Sequence, residues 1–287
     1  MKWLVILASL VLAQPADSQS PTPAPHTPRQ EELSLRQLDV GQGDAALITT
    51  PEGKRILIDA GPDAYLVAGI LRNEGIDTLD LVVASHAHAD HIGGMPSVFQ
   101  AVTVRAYMDN GVTHTTATYA RTIAAAEREP GLQYLAAIDR TITLGSVRIR
   151  VLPPPRTHRT QNNNSVGLLI EYDRFRALYT GDSEQRELAH WLREDSIPPV
   201  TLVKAAHHGA RNGVTAQWVE ATAPEIVLVP VGSRNRYGHP SPQALRLWAA
   251  ANSTVYRTDQ MGEIEVKARK DGSYTVHTSN KRGVWQR

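Results

Sequence analysis

Short apolar runs broken by turn residues mark the first part of the chain after residue 33. Apolar and polar side chains alternate over residues 34–40, short apolar runs follow over residues 45–49 and 55–60, and glycine, aspartate and proline lie between these runs. A period of two along the chain is typical of half-buried β-strands. The pattern therefore predicts three consecutive strands, followed by a helix over residues 65–73 whose leucines and isoleucine recur at helical spacing.

Strand-like and helix-like patterns alternate through the rest of the chain. Further strands are predicted around Ile142 and over residues 79–84, 102–108, 147–152, 166–172, 177–180, 201–205, 225–231, 254–256, 263–267 and 274–277. Helices are predicted over residues 115–129, 183–194, 215–221 and 242–251. Such a mixture indicates an α/β fold, and we assign residues 33–287 to one domain.

The first 32 residues have a different composition. One lysine and a short apolar stretch lead into small residues, which predicts a signal peptide over residues 1–18. Residues 19–32 are rich in proline and poor in apolar side chains, which predicts a disordered linker. The alternative is a buried N-terminal helix or strand. We therefore expect an exported protein, periplasmic or secreted, whose mature form has no transmembrane segment.

The chain contains 0 cysteines. This composition excludes disulfide bonds and thiolate metal ligands. It also excludes the lipid anchor of bacterial lipoproteins, which is attached to a cysteine after the signal peptide.

Four side chains that can bind metal follow the strand predicted over residues 79–84. His86, His88, Asp90 and His91 form the pattern H-x-H-x-D-H. Side chains two apart in an extended chain project to the same side, so the first two histidines share a direction. Neutral imidazole and carboxylate groups suit zinc, with manganese or iron as alternatives. The alternative is that these histidines have no metal-binding role, but such a dense cluster makes this alternative less favourable.

Asp182 and a pair of adjacent histidines can complete such a site. Asp182 follows an apolar run and precedes a predicted helix, where a carboxylate either caps the helix or bridges two metals. His207 and His208 follow another predicted strand. Alternation along that strand would place Lys204 and His208 on one face and His207 on the other, which favours His208 slightly and leaves both as candidates.

Other polar residues leave alternatives open. His239 lies in a loop after an apolar strand, where it acts as an acid, as a ligand or only as support for the loop. Three aspartates at predicted strand ends either orient ligating imidazoles or form turn hydrogen bonds. These aspartates are Asp39, Asp44 and Asp59.

The net charge of +1 gives no overall signal for nucleic-acid binding, but basic residues concentrate in particular segments. Residues 153–164, 204–218 and 226–258 contain no aspartate or glutamate. Their basic residues are Arg156, Arg159, Lys204, Arg211, Arg234, Arg236, Arg246 and Arg257. Gathered around a metal site, these segments would form a basic rim that concentrates anionic substrates; otherwise they are scattered, solvated positions.

A series of motifs occurs in one order along the chain: LDVGQGDAALI, IDAG, SHAHADHIGG, NNNS, LYTGD, KAAHHG and NRYGHP. Over roughly residues 34–260 they resemble the metallo-β-lactamase-like domain of ComEC-type competence proteins. The resemblance implies that residues 33–287 form a metallo-β-lactamase-like hydrolase domain. It also implies a fold of four layers, an αβ/βα sandwich.

The resemblance implies a site for two zinc ions, with manganese as an alternative. Its candidate ligands are His86, His88, Asp90, His91, Asp182, His207 and His208. His86 and His88 would hold one ion. Asp90 and His91, together with His207 or His208, would hold the other ion, and Asp182 would bridge the two. Many members of the superfamily supply a further histidine near the polar loop, where His158 or an asparagine of residues 162–164 could serve.

We therefore expect an exported hydrolase that cleaves phosphodiesters or nucleic acid with a metal-bridging hydroxide. Its substrate would be an anionic small molecule or a nucleic acid, and catalytic roles fall to Asp90, His239 and Lys204. Arg234 and Arg236 would hold the anion together with Lys204. The alternatives are a carbonyl hydrolase acting on a lactam, lactone or thioester, and a non-catalytic binding module of an exported complex.

Overall fold

The computed structural model describes residues 31–155, 160–194, 196–279 and 285–286. The signal peptide over residues 1–18 and most of the linker over residues 19–32 lie outside the described residues, so both remain predictions. Among the residues that the structure describes, no helix has the length and apolar character needed to cross a membrane.

The strands form a sheet of nine, a sheet of seven and a small sheet of two. In chain order they are β1 (Leu33–Gln37), β2 (Ala46–Thr49), β3 (Arg55–Ile58), β4 (Thr78–Leu79), β5 (Leu81–Val83), β6 (Thr103–Val104), β7 (Ala106–Asp109), β8 (Gln133–Ala136), β9 (Arg140–Leu144), β10 (Val147–Leu152), β11 (Gly167–Tyr172), β12 (Phe175–Tyr179), β13 (Leu202–Lys204), β14 (Ile226–Val229), β15 (Thr254–Arg257), β16 (Ile264–Ala268), β17 (Tyr274–Ser279) and β18 (Trp285–Gln286).

The nine-stranded sheet has the order β18-β17-β16-β1-β2-β3-β5-β7-β8, and the seven-stranded sheet has the order β15-β14-β13-β12-β11-β10-β9. The small sheet pairs β4 with β6. Each large sheet has a parallel part, from β3 through β5 and β7 to β8 in one and from β12 to β15 in the other. The remaining pairs of the two large sheets are antiparallel, and the pair β4–β6 is parallel. Parallel neighbours end at the same edge of a sheet, which brings their following loops together.

The helices connect strands on the outer faces of the two sheets. They are α1 (Leu66–Asn73), α2 (Ala89–Ile92), α3 (Met95–Ala101), α4 (Ala117–Arg128), α5 (Gln185–Arg193), α6 (Ala216–Thr222), α7 (Pro242–Ala250) and α8 (Thr258–Met261). Three begin with a hydroxyl cap that accepts a backbone N–H of the first turn: Thr116 for α4, Thr215 for α6 and Ser241 for α7.

Alternate side chains of the strands enter different cores. Ile48 of β2 and Ile56 of β3 lie in the core between the two large sheets, whereas Leu47 and Leu57 pack against α1 and α3. Leu178 of β12 packs in the same way against α5 and α6 on the far side. Each such burial stabilises the fold by about 1.5–3 kcal/mol. The order helix, sheet, sheet, helix confirms the predicted four-layer αβ/βα sandwich.

The strand predicted over residues 79–84 is broken at Asp80. Its carboxylate accepts the backbone N–H of Arg55 at 3.0 Å and the guanidinium of Arg105 at 2.8 Å, and Lys54 lies 3.2 Å away. The chain passes here from the small sheet into the large one, as β4 ends and β5 begins. An acidic residue inside an apolar run thus marks a change of sheet.

Candidate metal centre

The candidate site lies at the edge where parallel strands of both sheets end. In the nine-stranded sheet, β3 leads into Asp59 and β5 leads into the segment that carries His86. In the seven-stranded sheet, β12 is followed by Asp182 and β13 by His207 and His208. The strand ends thus collect residues far apart in sequence, as the carboxyl edge of a parallel sheet does for many ligand sites.

Asp59 fixes the orientation of His91. Its carboxylate accepts the backbone N–H and the hydroxyl of Ser85, each at 2.7 Å, and lies 2.7 Å from Nδ1 of His91. Because a carboxylate accepts, Nδ1 carries a proton, and Nε2 is the nitrogen that is left to bind a metal. A histidine with its other nitrogen bonded to a carboxylate is the usual arrangement of a metal ligand. Asp59 therefore makes the contact of an orienting partner, one of the two alternatives raised by the sequence.

Asp90, His91, Asp182 and His208 form a compact group, which we call the ligand cluster. Each of the four residues offers one potential ligand atom, and these four atoms all lie within 4.8 Å of one another. Nε2 of His91 lies 3.2 Å from Oδ1 of Asp182, and Nε2 of His208 lies 3.4 Å from Oδ2 of Asp182. His208 donates its Nδ1 proton to the carbonyl of Pro230 at 2.8 Å, which leaves its Nε2 facing the cluster.

The buried atoms of the ligand cluster match the needs of a divalent cation. Nε2 of His91, Nε2 of His208 and Oδ1 of Asp182 are buried and have no hydrogen-bond partner among the described residues. Leaving such atoms without a partner costs about 1–3 kcal/mol each, so converging ones indicate an intended ligand. Two imidazoles with two carboxylates suit zinc, and this donor set also accepts manganese. The residues present fit a metal.

Without a metal, the histidines and carboxylates of the ligand cluster stabilise each other's charged forms. Burial alone would lower the pKa of His91, but the carboxylates of Asp182 and Asp59 raise it well above its usual value. Burial alone would also lower the pKa of His208, but the carboxylate of Asp182 raises it to about 9. Burial alone would raise the pKa of Asp182, but His208 and His91 hold it well below its usual range. Positive charge is therefore favoured at this point, whether it comes from protons or from a metal.

His86 and His88 lie beside the ligand cluster. Nε2 of His86 is 3.0 Å from Nδ1 of His88, and the ring centroid of His86 is 4.2 Å from that of His91. His86 is buried, and burial is the main cause that lowers its pKa well below its usual value. A neutral imidazole at this place can accept a metal. Among the described residues, the four-membered cluster itself does not include these two histidines.

The backbone turns sharply at His207 and His208. Strand β13 ends at Lys204, and the two histidines have φ of 49° and 54°, in the left-handed region. Strand alternation therefore does not apply to them, and both rings face the same cleft. A non-glycine residue in this region costs of order 1–3 kcal/mol. The structure brings His208 into the ligand cluster, whereas Nε2 of His207 lies farther away, 3.8 Å from Oδ2 of Asp182.

Lys204 lies behind the ligand cluster. It is 0% exposed, forms an ion pair with Asp44, donates to the carbonyl of Gly181 at 2.8 Å and lies 3.6 Å from Oδ1 of Asp182. Burial would lower its pKa, but Asp44 and Asp182 raise it, so the side chain stays charged. This placement does not support the contact with a substrate anion that the sequence suggested. A buried cation paired with Asp44 instead stabilises the carboxylate of Asp182.

An open cleft of about 350 Å³ leads to the ligand cluster. Its lining residues are Gln42, His88, Ala89, Asp90, Asn162, Asp182, His207, His208, Tyr237 and His239. The ring of His239 lies 5.5 Å from that of His207 and is therefore on the wall of the cleft, outside the cluster. Burial, followed by the neighbouring His207 and His208, lowers the pKa of His239 to about 4. His239 is thus a neutral imidazole, which can accept a proton or a hydrogen bond.

The polar loop before β11 contributes Asn162 to the cleft. Asn162 donates to Oε1 of Glu184 at 3.2 Å and lies 3.4 Å from Nε2 of His207. Asn163 donates to Oε2 of Glu184 at 2.7 Å, which holds the loop on the start of α5. Of the two alternatives for the first metal, His158 lies outside the described residues, and Asn162 is the asparagine that lines the cleft.

The predicted basic rim is realised in part. Arg234 and Arg236 are exposed in the loop that carries Tyr237 and His239. Arg257 pairs with Asp259 at 2.6 Å, so its charge is compensated. The loop arginines at 156 and 159 lie outside the described residues. Arg234 and Arg236 are therefore exposed cations on a loop that also contributes residues to the cleft.

Three contacts at the site were not predicted from the sequence. Glu184 places a carboxylate 3.8 Å from Nδ1 of His207. His114, before α4, lies with its ring 6.1 Å from that of His88. Tyr237 stacks on His239. Tyr237 and His239 both belong to the motif NRYGHP, and their spacing of two residues was the sequence feature that could have predicted their contact.

Comparison with known proteins gives a family and a fold. A family model described as a beta-lactamase superfamily domain matches residues 54–234. ComE operon protein 3 of Bacillus subtilis (strain 168) is 24% identical over 268 residues, covering 86% of this chain and 34% of that protein. Competence protein ComA of Neisseria gonorrhoeae is 25% identical over 270 residues, covering 92% of this chain and 36% of that protein. The chain thus spans about a third of the length of these relatives.

A solved structure has the same fold. The metallo-beta-lactamase fold protein YhfI from Bacillus subtilis superposes with a TM-score of 0.53 at 13% identity, covering 78% of this chain and 95% of that one. At this identity the likeness concerns the fold alone. It agrees with the four layers described above and with the resemblance that the motifs indicated.

Proposed function

Because the chain belongs to the beta-lactamase superfamily, we propose that it is a metal-dependent hydrolase that cleaves phosphodiester bonds in an anionic substrate such as a nucleic acid. One observation carries the proposal. His91, His208 and Asp182 aim buried ligand atoms without hydrogen-bond partners among the described residues at one point on the floor of an open cleft. A metal at that point would be reachable by substrate.

Different residues of the chain would bind each of the two metal ions. Asp90, His91, Asp182 and His208 would hold one ion, and His86 and His88 would hold a second. Asp59 and the carbonyl of Pro230 keep the two cluster histidines in the tautomer that leaves Nε2 for the metal. Bound zinc or manganese would lower the pKa of coordinated water and offset charge on a phosphoryl oxygen.

The other residues of the cleft act on the substrate. Gln42 and Asn162 offer amide groups at the wall of the cleft, where they can hydrogen-bond to a phosphodiester. The neutral ring of His239 is placed to exchange a proton with a leaving or attacking oxygen. Buried Lys204 helps to keep Asp182 ionised, because its ammonium lies 3.6 Å from that carboxylate.

The charge distribution favours an anionic substrate. Arg234 and Arg236 are exposed on the loop whose Tyr237 and His239 line the cleft, and two bound divalent ions would add positive charge at its floor. Positive charge in a cleft raises the local concentration of anions and their association rate. A neutral lactam or thioester would gain nothing from these arginines.

A panel of substrates tests the proposal. Purified protein loaded with zinc or manganese is assayed against bis-p-nitrophenyl phosphate, a lactam and a thioester. We expect hydrolysis of the phosphodiester, its loss on chelation and its recovery on adding the metal back. His208→Ala should abolish turnover, and His277→Ala, on strand β17, should leave it unchanged. Efficient turnover of the lactam or thioester without phosphodiester cleavage would overturn the proposal.

A further inference from the structure

Tyr237 stands at the mouth of the cleft as an exposed aromatic side chain. Of its surface, 71% is accessible to solvent, and it lines the same cleft as Asp182 and His208. Its ring stacks on His239 with the centroids 5.8 Å apart and the planes inclined by 19°. A flat, accessible ring beside a polar cleft offers a favourable surface to another flat group.

The loop that carries this ring is braced from within. Asn235 donates to the carbonyls of Gly232 at 3.3 Å and His239 at 3.0 Å, and its own Oδ1 accepts the backbone N–H of His239 at 3.0 Å. The N–H of Gly232 donates to Gln42 of the opposite loop at 3.2 Å. The stacked pair is therefore held in place before any ligand arrives, which lowers the entropy that binding must overcome.

The same loop is fixed relative to the ligand cluster. A Cβ on Gly209, the residue after His208, would lie only 2.7 Å from Cβ of Pro240, so glycine permits this close approach. The carbonyl of Gly209 also accepts the N–H of Ser241 at 2.8 Å. The position of Tyr237 is thus tied to that of His208, and its distance from the metal point is set by the fold.

Charge and aromatic surface occur together at this place. Arg234 and Arg236 are exposed on the same loop as Tyr237. One imidazole ring, that of His239, separates Tyr237 from His207 of the cleft. A ligand that combines an anionic group for the metal point with a flat group for Tyr237 would contact both parts of this cleft. Nucleotides have this combination, with the base as the flat group.

We propose that Tyr237 stacks against an unpaired nucleobase next to the phosphodiester at the ligand cluster, and that the substrate is single-stranded nucleic acid. The inference rests on the proposed phosphodiesterase function and names its substrate class. A base inside a duplex is covered on both faces by its neighbours and must be unstacked before it can reach a protein ring. Stacking is tolerant of base identity, so this contact selects strandedness and not sequence.

Binding of matched strands tests the contact apart from catalysis. Metal-loaded protein is titrated with fluorescent oligothymidylate and with an abasic strand of equal length, both with phosphorothioate linkages that resist cleavage. Tyr237→Ala should weaken binding of oligothymidylate by roughly 5- to 150-fold and leave the abasic strand unaffected. Tyr237→Phe should retain binding, and Tyr65→Ala, which removes another tyrosine that is 71% exposed, should behave as wild type. Equal effects of Tyr237→Ala on both strands, or no effect, would overturn the inference.

Kinetics with small esters separates this inference from the proposed function. The pair is the p-nitrophenyl ester of thymidine 5′-monophosphate and methyl p-nitrophenyl phosphate, which has the same leaving group and no base. We expect a lower KM for the first ester, and Tyr237→Ala should remove that difference. Hydrolysis of both esters with equal KM would refute the stacking contact and leave the phosphodiesterase standing. Hydrolysis of neither would refute the phosphodiesterase, and strand binding would then decide the stacking contact alone.

Discussion

Oδ2 of Asp59 lies 2.7 Å from Nδ1 of His91, and both side chains are shielded from solvent. Asp59 comes from the end of β3 and His91 from the helix after β5, so two neighbouring parallel strands supply the pair. The contact sets which nitrogen of His91 faces Asp182. A residue outside the ligand cluster thus controls how one member of that cluster presents itself to a metal.

Asp59→Asn should weaken metal binding by roughly 10- to 100-fold, because an uncharged amide orients His91 less firmly and reduces its basicity. Competition with a chelating dye measures the affinity. The control is Asp39→Asn, since Asp39 is exposed and accepts the N–H of Gly41 in a turn. Equal metal affinity in Asp59→Asn and wild type would show that Asp59 is only a structural hydrogen-bond acceptor.

The metal-free protein should lose stability as the pH rises from about 6.5 to about 9. Asp182 is the main cause that raises the pKa of His208 from 6.5 to about 9 against burial, and it raises the pKa of His91 in the same direction. The folded state therefore holds these protons more tightly than the unfolded chain does. The contribution of His208 to stability is fully present below pH 6.5 and is lost as the pH passes through about 9.

Thermal unfolding of chelator-treated protein across this pH range measures the effect. The metal-loaded protein should not show the same fall, because bound metal replaces both protons and its affinity rises with pH. The low pKa of Asp182 contributes only in a more acidic range and does not change the sign here. A Tm of the chelated protein that rises between pH 6.5 and 9 would contradict the assignment.

Lys204→Met should destabilise the protein by about 3–5 kcal/mol, because it leaves the buried carboxylate of Asp44 without its cation. Urea denaturation measures the loss. The double variant Lys204→Met with Asp44→Asn should recover part of it, since the neutral amide can still accept from Gln37. A single variant as stable as wild type would mean that the ion pair contributes nothing to folding.

Replacing Arg234 and Arg236 together by serine should weaken binding of single-stranded DNA and leave metal content unchanged. The logarithmic salt dependence of binding should become shallower by about 1 for each phosphate contact removed. Replacing Arg128 and Arg193, which are exposed on α4 and α5, makes the same change in net charge away from the residues that line the cleft. Similar losses in both double variants would indicate a general charge effect.

The periodic patterns predicted most strands and helices, because burial on one face leaves a regular trace in sequence. Strand β8 was missed, since it lies at the edge of its sheet and its side chains are largely accessible. The break at Asp80 was missed because Leu79 before it and the apolar run Leu81–Val83 after it suggest one continuous strand. Edges and changes of sheet depend on tertiary pairing, which the local pattern does not contain.

The ligand cluster was predictable in its members and less so in its geometry. Asp90, His91 and Asp182 occur in motifs whose spacing indicates metal binding. The choice between His207 and His208 was argued from strand alternation, which fails because both have positive φ. The burial of Lys204 was equally hidden, since its partner Asp44 is remote in sequence and a basic residue near a predicted site suggests a substrate contact.

The metal content of Asp182→Ala tests the central claim most directly. Wild-type protein, Asp182→Ala and the control Asp139→Ala, which removes an exposed carboxylate, are purified identically and analysed by inductively coupled plasma mass spectrometry, with circular dichroism to confirm folding. The account predicts about two ions of zinc or manganese per chain in wild type and in Asp139→Ala, and a folded Asp182→Ala that has lost them. A folded Asp182→Ala that retains the full metal content would contradict the ligand cluster proposed for this protein.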